Sequence, residues 1–320
     1  VLAAAAAAQP PCGQLPGPEP TGPAPELFAP GWVNQGARTR DIAMTPDGRE
    51  IYFCIMVGGF RYSSIAVTRR GEDDCWSEPE IPPLFADPRW RFLEPHVAPT
   101  GDRLFFVSDR PDSGDAAVSE DIWVAGRDGD GWAAPRRLPA HINTASAEFF
   151  PSVTRDGVLY FTRRLPDTRR EVIMRAEPDG RGGWLEPETL PAEVNSAASQ
   201  FNAFIDPDER FLVVCLAGHP GNLGQVDYWI VFRDGASGAW RGPVNLGERV
   251  NGSGREGWSP YVSPDGLWFF FMSAARGIAP EAPLTMAGLR SLHDSPGNGL
   301  GHVWWMPAGF LLELANEAGD

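Results

Sequence analysis

A hairpin unit that recurs five times is the feature that most constrains this chain. In EGWSPYVSPDGLWFFF, Glu256 to Phe271, a short extended run ends in Ser-Pro-Asp-Gly and an aromatic run follows. Asp-Gly between two such runs reads as a β-hairpin, because glycine accepts the positive φ of the tight turn. The unit returns as DIAMTPDGREIYFCIM from Asp41, LEPHVAPTGDRLFFVSD from Leu93, EFFPSVTRDGVLYFTR from Glu148 and QFNAFIDPDERFLVVCL from Gln200. The turn positions Pro46, Pro99, Arg155, Pro207 and Pro264 lie 53, 56, 52 and 57 residues apart. A period near 50 points to an array of supersecondary units, and propellers are the main all-β form of such an array.

Each repeat reads as four strands, A to D from axis to rim. In the second, A is Phe92–Ala98, B is Arg103–Asp109, C is Asp121–Ala125 and D is Trp132–Leu138. The B strands (IYFCIM, RLFFVSD, VLYFTR, RFLVVCL, LWFFFMS) are continuous apolar runs, as expected of strands covered on both faces. Strand D carries W-x-x-P-x-x-L as Trp132/Pro135/Leu138, Trp184/Pro187/Leu190 and Trp240/Pro243/Leu246. Proline cannot donate to a ladder, so D is expected at the outer edge.

The expected fold is an all-β propeller of five four-stranded blades within residues 25–320, with six blades as the alternative. The repeats span about 39–84, 92–138, 148–190, 200–246 and 256–307. The last has no W-x-x-P-x-x-L strand; residues 26–29 are expected to supply it and close the ring, with Phe310–Leu314 as the alternative. LFAPGWVN from Leu27 matches the repeat ends LPAHIN, LPAEVN and LGERVN, which also places the end of a repeat at the N-terminus. Residues 274–300 interrupt the last repeat, and Leu284–His293 within them reads as a short helix.

Residues 1–24 read as a signal-peptide remnant or a disordered Ala/Pro-rich leader, which implies a periplasmic or secreted protein. A net charge of −15 argues against nucleic acid as a partner. No window offers the roughly 20 apolar residues of a membrane span. Cys54 and Cys215 fall in apolar runs and read as buried hydrophobes, whereas Cys12 and Cys75 are compatible with a bridge. The expected state is a monomer.

Innermost strands line a propeller's channel, so their polar residues are the candidate site. Strand A offers Asp41, Glu94, Glu148, Gln200 and Glu256, with Trp90 and Trp258 near the strand starts. Two uses compete. The acids can accept hydrogen bonds from the next blade and join repeats, or Glu148, Glu256 and Asp41 can serve as the acid and base of a glycoside-active hydrolase. Glu94, Glu148, Gln200, Glu256, Trp90 and Trp258 are the ligand-binding candidates, for a small molecule, glycan or protein. No cofactor is expected and no histidine has metal-ligand spacing, although a carboxylate ring could hold a divalent cation. Asp128–Gly131 reads as a turn rather than a calcium loop. Arg163, Arg164, Arg169 and Arg170 form a basic loop in repeat three.

The turns TPDG (Thr45–Gly48) and SPDG (Ser263–Gly266), FVSDRP at Phe106–Pro111 leading to DIWV, and SPGNGLG at Ser295–Gly301 before an aromatic strand resemble the TolB-like β-propellers, whose WD-like repeats carry Pro-Asp-Gly hairpins. The family's Asp at the start of strand C stands here as Asp121 and Asp227, but as Glu171 and His302 in repeats three and five. Its hairpin signature is altered to APTG, TRDG and DPDE in the middle repeats. The resemblance implies an exported propeller that binds a protein or ligand, is a non-enzymatic scaffold, or serves in a cell-envelope complex. Similar propellers gate serine peptidases, but no Gly-x-Ser-x-Gly occurs in these 320 residues.

Overall fold

Apolar runs of six to eight residues, punctuated by tight turns, fold here into antiparallel hairpins. The computed structural model describes residues 10–114, 119–252, 257–279 and 282–315, and these form a five-bladed β-propeller. The A, B and C strands of blade 1 are Arg38–Met44, Glu50–Val57 and Tyr62–Arg69. Those of blade 2 are Phe92–Val97, Arg103–Ser108 and Asp121–Asp128, and those of blade 3 are Glu148–Val153, Leu159–Arg164 and Glu171–Ala176. Blade 4 uses Ser199–Ile205, Phe211–Ala217 and Val226–Arg233, and blade 5 uses Trp258–Val262, Trp268–Ser273 and His302–Pro307. Each A strand contacts the A strands of both neighbouring blades, so the five A strands form the inner ring. The B strands are buried along nearly their whole length, as their apolar runs require.

The rim strands are short in four of the five blades. Only Trp240–Asn245 in blade 4 is long; blades 2 and 3 have the two-residue pieces Gly131–Trp132, Arg136–Arg137 and Glu188–Thr189. In blade 1 the fourth strand is reduced to the bridges Val67–Glu80 and Arg70–Trp76. A recurring asparagine supplements this pairing. Asn143 accepts from Ile122 N at 2.9 Å and donates to Ile122 O at 2.9 Å and Leu138 O at 3.1 Å. Asn195 does the same to Ile173, and Asn251 to Tyr228. These are the final residues of the LPAHIN, LPAEVN and LGERVN segments. Each side chain bridges the main chain of its own blade's C strand where rim pairing has ended.

The N-terminal segment completes blade 5 as expected. Glu26–Leu27 pairs antiparallel with Trp305 and Trp304, and Phe28 N donates to Val303 O at 3.0 Å. Asn34, at the end of LFAPGWVN, bridges Val303 N and O at 2.9 and 2.7 Å, so the motif plays the same part across the seam. The alternative closing segment is instead helical over Phe310–Glu313. Within the expected leader, residues 10–17 pack on blade 1: a Cys12–Cys75 disulfide joins them to its rim, Trp76 N donates to Pro11 O, and Leu15 is buried. A disulfide fits an oxidising compartment. Cys54 and Cys215 are free and buried.

The blade 5 insertion carries a helix over Met286–His293, capped by the Thr285 hydroxyl. It docks where a Cβ on Gly36 would lie 2.7 Å from Asp294 Cα, so only glycine fits there. Among the described residues no helix is long and apolar enough to cross a membrane.

Two stability effects follow. Replacing Asn143 with alanine strands Ile122 N and Leu138 O, while Ile122 O keeps its bond from Leu138 N, and is expected to cost about 2 kcal/mol in urea unfolding. Replacing Cys12 and Cys75 with serine opens a link spanning 63 residues and is expected to cost up to about 4 kcal/mol by loop-closure entropy. Losses below about 0.5 kcal/mol in either variant would contradict these assignments.

Candidate functional site

Every A strand breaks register with its B strand once, at a β-bulge. At that point a non-glycine residue takes the left-handed conformation: Asp41 (φ 59°), Glu94 (54°), Phe150 (51°), Asn202 (50°) and Ser259 (63°). Each lies five residues before its hairpin turn position. Left-handed backbone costs an L-residue about 1–2 kcal/mol, so five repetitions mark a shared constraint rather than local accident. The bulge sets which side chains enter the channel.

The residue just before each bulge lines the channel mouth. Arg40, Leu93, Phe149, Phe201 and Trp258, one per blade, surround a pocket of about 340 Å³. Phe60, Val107, Glu94 and Asn202 complete its walls, with Arg91, Glu120, Arg164 and Glu171 also lining it. Phe60 packs against Trp258 with ring centroids 5.9 Å apart, and the Arg40 guanidinium lies 5.3 Å from the Trp258 ring centre. The next layer of the channel is filled. There Ile42, Pro95, Pro151, Phe204, Pro260 and Tyr261 leave a space of only about 10 Å³, room for one water. The mouth is therefore a blind pocket.

Its charged centre is a buried triad. Arg40 donates through Nε to Asp41 Oδ1 and through Nη2 to Glu94 Oε1, both at 2.8 Å. Ser259 Oγ also donates to Asp41 Oδ1, while the buried Asp41 Oδ2 has no partner among the described residues. Glu94 Oε2 accepts from Phe150 N of the next blade at 2.7 Å. Burial pushes Glu94 up to about 8; the Arg40 guanidinium opposes this and the Asp41 charge adds to it. Burial alone would lower Arg40, but Asp41 and Glu94 hold it above its ordinary value.

The same blade-to-blade pattern continues deeper. His96 Nε2 accepts from Val153 N, Ser152 Oγ from Ile205 N, and Tyr261 OH from Met44 N, all at 3.0 Å. In each case a side chain three residues before one turn meets the amide two residues before the neighbouring blade's turn. Burial drives His96 down to about 4, so it stays neutral and accepts.

The residues named from sequence separate by register. Glu94 and Trp258 line the pocket, and Asp41 lies in the filled layer that Glu94 also borders. Glu148 sits seven residues before its turn. It is fully buried, accepting from Thr144 N, Thr144 Oγ1 and Arg163 Nε at 2.8, 2.7 and 2.9 Å. Gln200, at the same offset, accepts from Ala197 N and donates to Glu171 O of the preceding blade. Trp90 packs against the core shared by blades 1 and 2, away from the pocket. Glu256 lies outside the described residues. Sequence reading missed Arg40, Phe149 and Phe201. Aligning the repeats on the turn and taking the sixth residue before it would have found all three.

Among the described residues no group of three or more His, Cys, Asp or Glu side chains is arranged to hold a metal ion. No protein-family model matches the chain, and no curated protein matches it by sequence. Among solved structures, the family-43 endo-arabinanase from Bacillus licheniformis aligns with a TM-score of 0.50 at 12% identity, covering 86% of this chain and 96% of that one. TolB from Acinetobacter baumannii aligns with a TM-score of 0.46 at 14% identity, over 85% of this chain and 55% of TolB. A puromycin hydrolase gives 0.43 at 13%, over 77% and 35%. The chain thus spans about half the length of TolB and about a third of puromycin hydrolase. At these identities the likeness speaks to the propeller fold alone.

The buried titrating groups set a pH profile. Native Glu94 keeps its proton up to about 8, whereas an unfolded carboxyl loses it near 4.5, so its contribution to stability falls as pH rises through that window. His96 and His302, both lowered to about 4 chiefly by burial, act oppositely. The unfolded chain protonates them near 6.5, so their contribution is lost as pH falls from there towards 4. With two histidines outweighing one carboxyl below 6.5, these groups place maximal stability near pH 6.5. Glu94→Gln is expected to remove the decline between pH 6.5 and 8, and His96→Gln to reduce the acid-side loss, in urea unfolding read by tryptophan fluorescence. An unchanged profile in either variant would contradict the corresponding assignment.

Proposed function

We propose that this protein is a ligand-binding propeller whose site is the blind pocket at the channel mouth, and that it binds without chemical turnover. One observation carries the reading: the inner-strand carboxylates are engaged in holding the protein together. Glu148 is enclosed by its own blade's loop and Arg163, and Asp41 is held by Arg40 and Ser259 in the filled layer. Of the three acids expected for a hydrolase, these two are therefore not an open pair flanking a substrate. What reaches the pocket is a wall of aromatic and apolar side chains with paired charges around it, the usual composition of a recognition site. The occupant is a small molecule, or the end of a glycan or protein chain. Export to an oxidising compartment belongs to the same reading, supported by the Cys12–Cys75 disulfide.

One observation favours a second reading. Glu94 faces the pocket with its proton retained to about 8, a property suited to a general acid. A single experiment separates the two: calorimetric screening of glycans and peptides, with product analysis of every mixture. Binding weakened about tenfold or more by Trp258→Ala or Phe201→Ala, with ligand recovered intact, is the expected result. Binding indifferent to both substitutions would remove the pocket as the site. Product that forms with wild type and vanishes with Glu94→Gln would replace the binding reading with the hydrolytic one.

A further inference from the structure

Beside the central pocket, between blades 2 and 3, a cleft of about 490 Å³ is lined by Arg91, Arg164, Arg169, Glu120, Ser119 and Ser146, among others. Arg91, Glu120 and Arg164 line both spaces, so the two are continuous. Arg91, Arg164 and Arg169 converge there on a chain of net charge −15; Asp109, Glu120 and Glu171 pair with the first two, and Arg169 has no carboxylate partner among the described residues. A field of that sign repels anions over most of the surface, and a site that admits one needs such a concentration of cations.

The arginines also retain donor capacity. Arg91 uses Nε on Asp109 and Nη1 on Glu120, and Arg164 uses Nε and Nη2 on a single oxygen of Glu171. With five N–H groups per guanidinium, each has donors without a partner among the described residues. Arg169, in the turn between the B and C strands of blade 3, makes no side-chain ion pair or hydrogen bond among the described residues. The existing carboxylates hold Arg91 and Arg164 in place, so an incoming anion meets guanidinium groups already ordered.

We propose that the ligand carries an anionic group, a carboxylate, sulfate or phosphate, that seats in this cleft on Arg91, Arg164 and Arg169 while its uncharged body lies against Trp258, Phe149 and Phe201. The inference rests on the central pocket being the binding site, and it adds the charge and shape of the occupant. Guanidinium forks match the planar or tetrahedral oxygens of such groups, and the serine hydroxyls can supplement them. The ligand is thus an amphiphilic anion, ring-like or apolar at one end and acidic at the other.

The test uses phenylacetate and its neutral isostere phenylacetamide, by calorimetry at constant ionic strength, with inorganic sulfate against matched chloride in thermal unfolding. Phenylacetate is expected to bind at least about tenfold more tightly than the amide. Arg169→Gln, which lines the cleft and not the central pocket, is expected to reduce that difference while leaving the amide's affinity unchanged, and Trp258→Ala to weaken both compounds. Sulfate is expected to raise the melting temperature of wild type and not of Arg169→Gln, whose exposed loop position leaves folding intact. Equal affinity for the two compounds would overturn the anionic cleft and leave the pocket reading standing. Binding of both compounds unaffected by Trp258→Ala would overturn the pocket reading as well. Failure of both compounds to bind, together with no sulfate effect beyond chloride, would overturn the inference outright.

Discussion

The whole ring depends on one short antiparallel pairing, Glu26–Leu27 against Trp304–Trp305. A blade has two apolar faces and can bury both only between two neighbours, so an open array of five would leave two faces wet and two sheet edges unpaired. The pairing removes both defects by giving blade 5 its rim strand from the far end of the chain. It is short, and other contacts reinforce it. Asn34 bridges both main-chain groups of Val303, Phe28 packs edge-on against Phe270 and Trp305, and the disulfide fixes the preceding segment to blade 1. The N-terminal segment thus belongs to blade 5 by pairing and to blade 1 by covalent linkage, on both sides of the seam.

Inside that ring, the left-handed bulge sorts side chains by role. The residue before the bulge faces the mouth, the bulge residue Glu94 touches both the pocket and Phe150 N of the next blade, His96, Ser152 and Tyr261 two residues further on bond to neighbouring blades, and Glu148 and Gln200, two residues ahead of the bulge, bond to the loops. Buried polar groups are expensive unless partnered, and here the partner is usually a main-chain amide of the next blade, which converts a desolvation cost into a contact between repeats. Asp41 Oδ2 departs from this pattern, a buried carboxylate oxygen without a partner among the described residues, beside a space the size of one water. The same arrangement explains why a channel rich in acids on paper presents an aromatic pocket in fact.

Much of the architecture was legible in the sequence because it repeats. The period, the hairpin turns, the apolar B strands and the match of LFAPGWVN to the other repeat ends each state one local rule several times, and together they specify five blades and their closure. The function of the terminal asparagine in that motif was not legible, since composition alone does not tell a capping amide from a turn residue. The site was read less well for a physical reason. Glu94 and Glu148 both lie in the first half of strand A, but five and seven residues before their turns. The intervening bulge then sends one to the pocket and the other into its own loop. A bulge leaves no mark on hydrophobic alternation, so alternation misjudges which face follows it. Trp90 illustrates the converse, an aromatic near a strand start that packs outward on the blade 1–2 core.

The claim on which this account turns is that polar groups of the inner strands are structural links between blades. Residue-resolved hydrogen exchange tests it most directly, at the amides of Met44, Phe150, Val153 and Ile205, which donate to Tyr261, Glu94, His96 and Ser152. All four are expected to exchange as slowly as the B-strand core, and Glu94→Gln to speed Phe150 more than the other three. Exchange of these amides at the rate of exposed loops would contradict it, and would return the inner-strand carboxylates to candidacy as reactive groups.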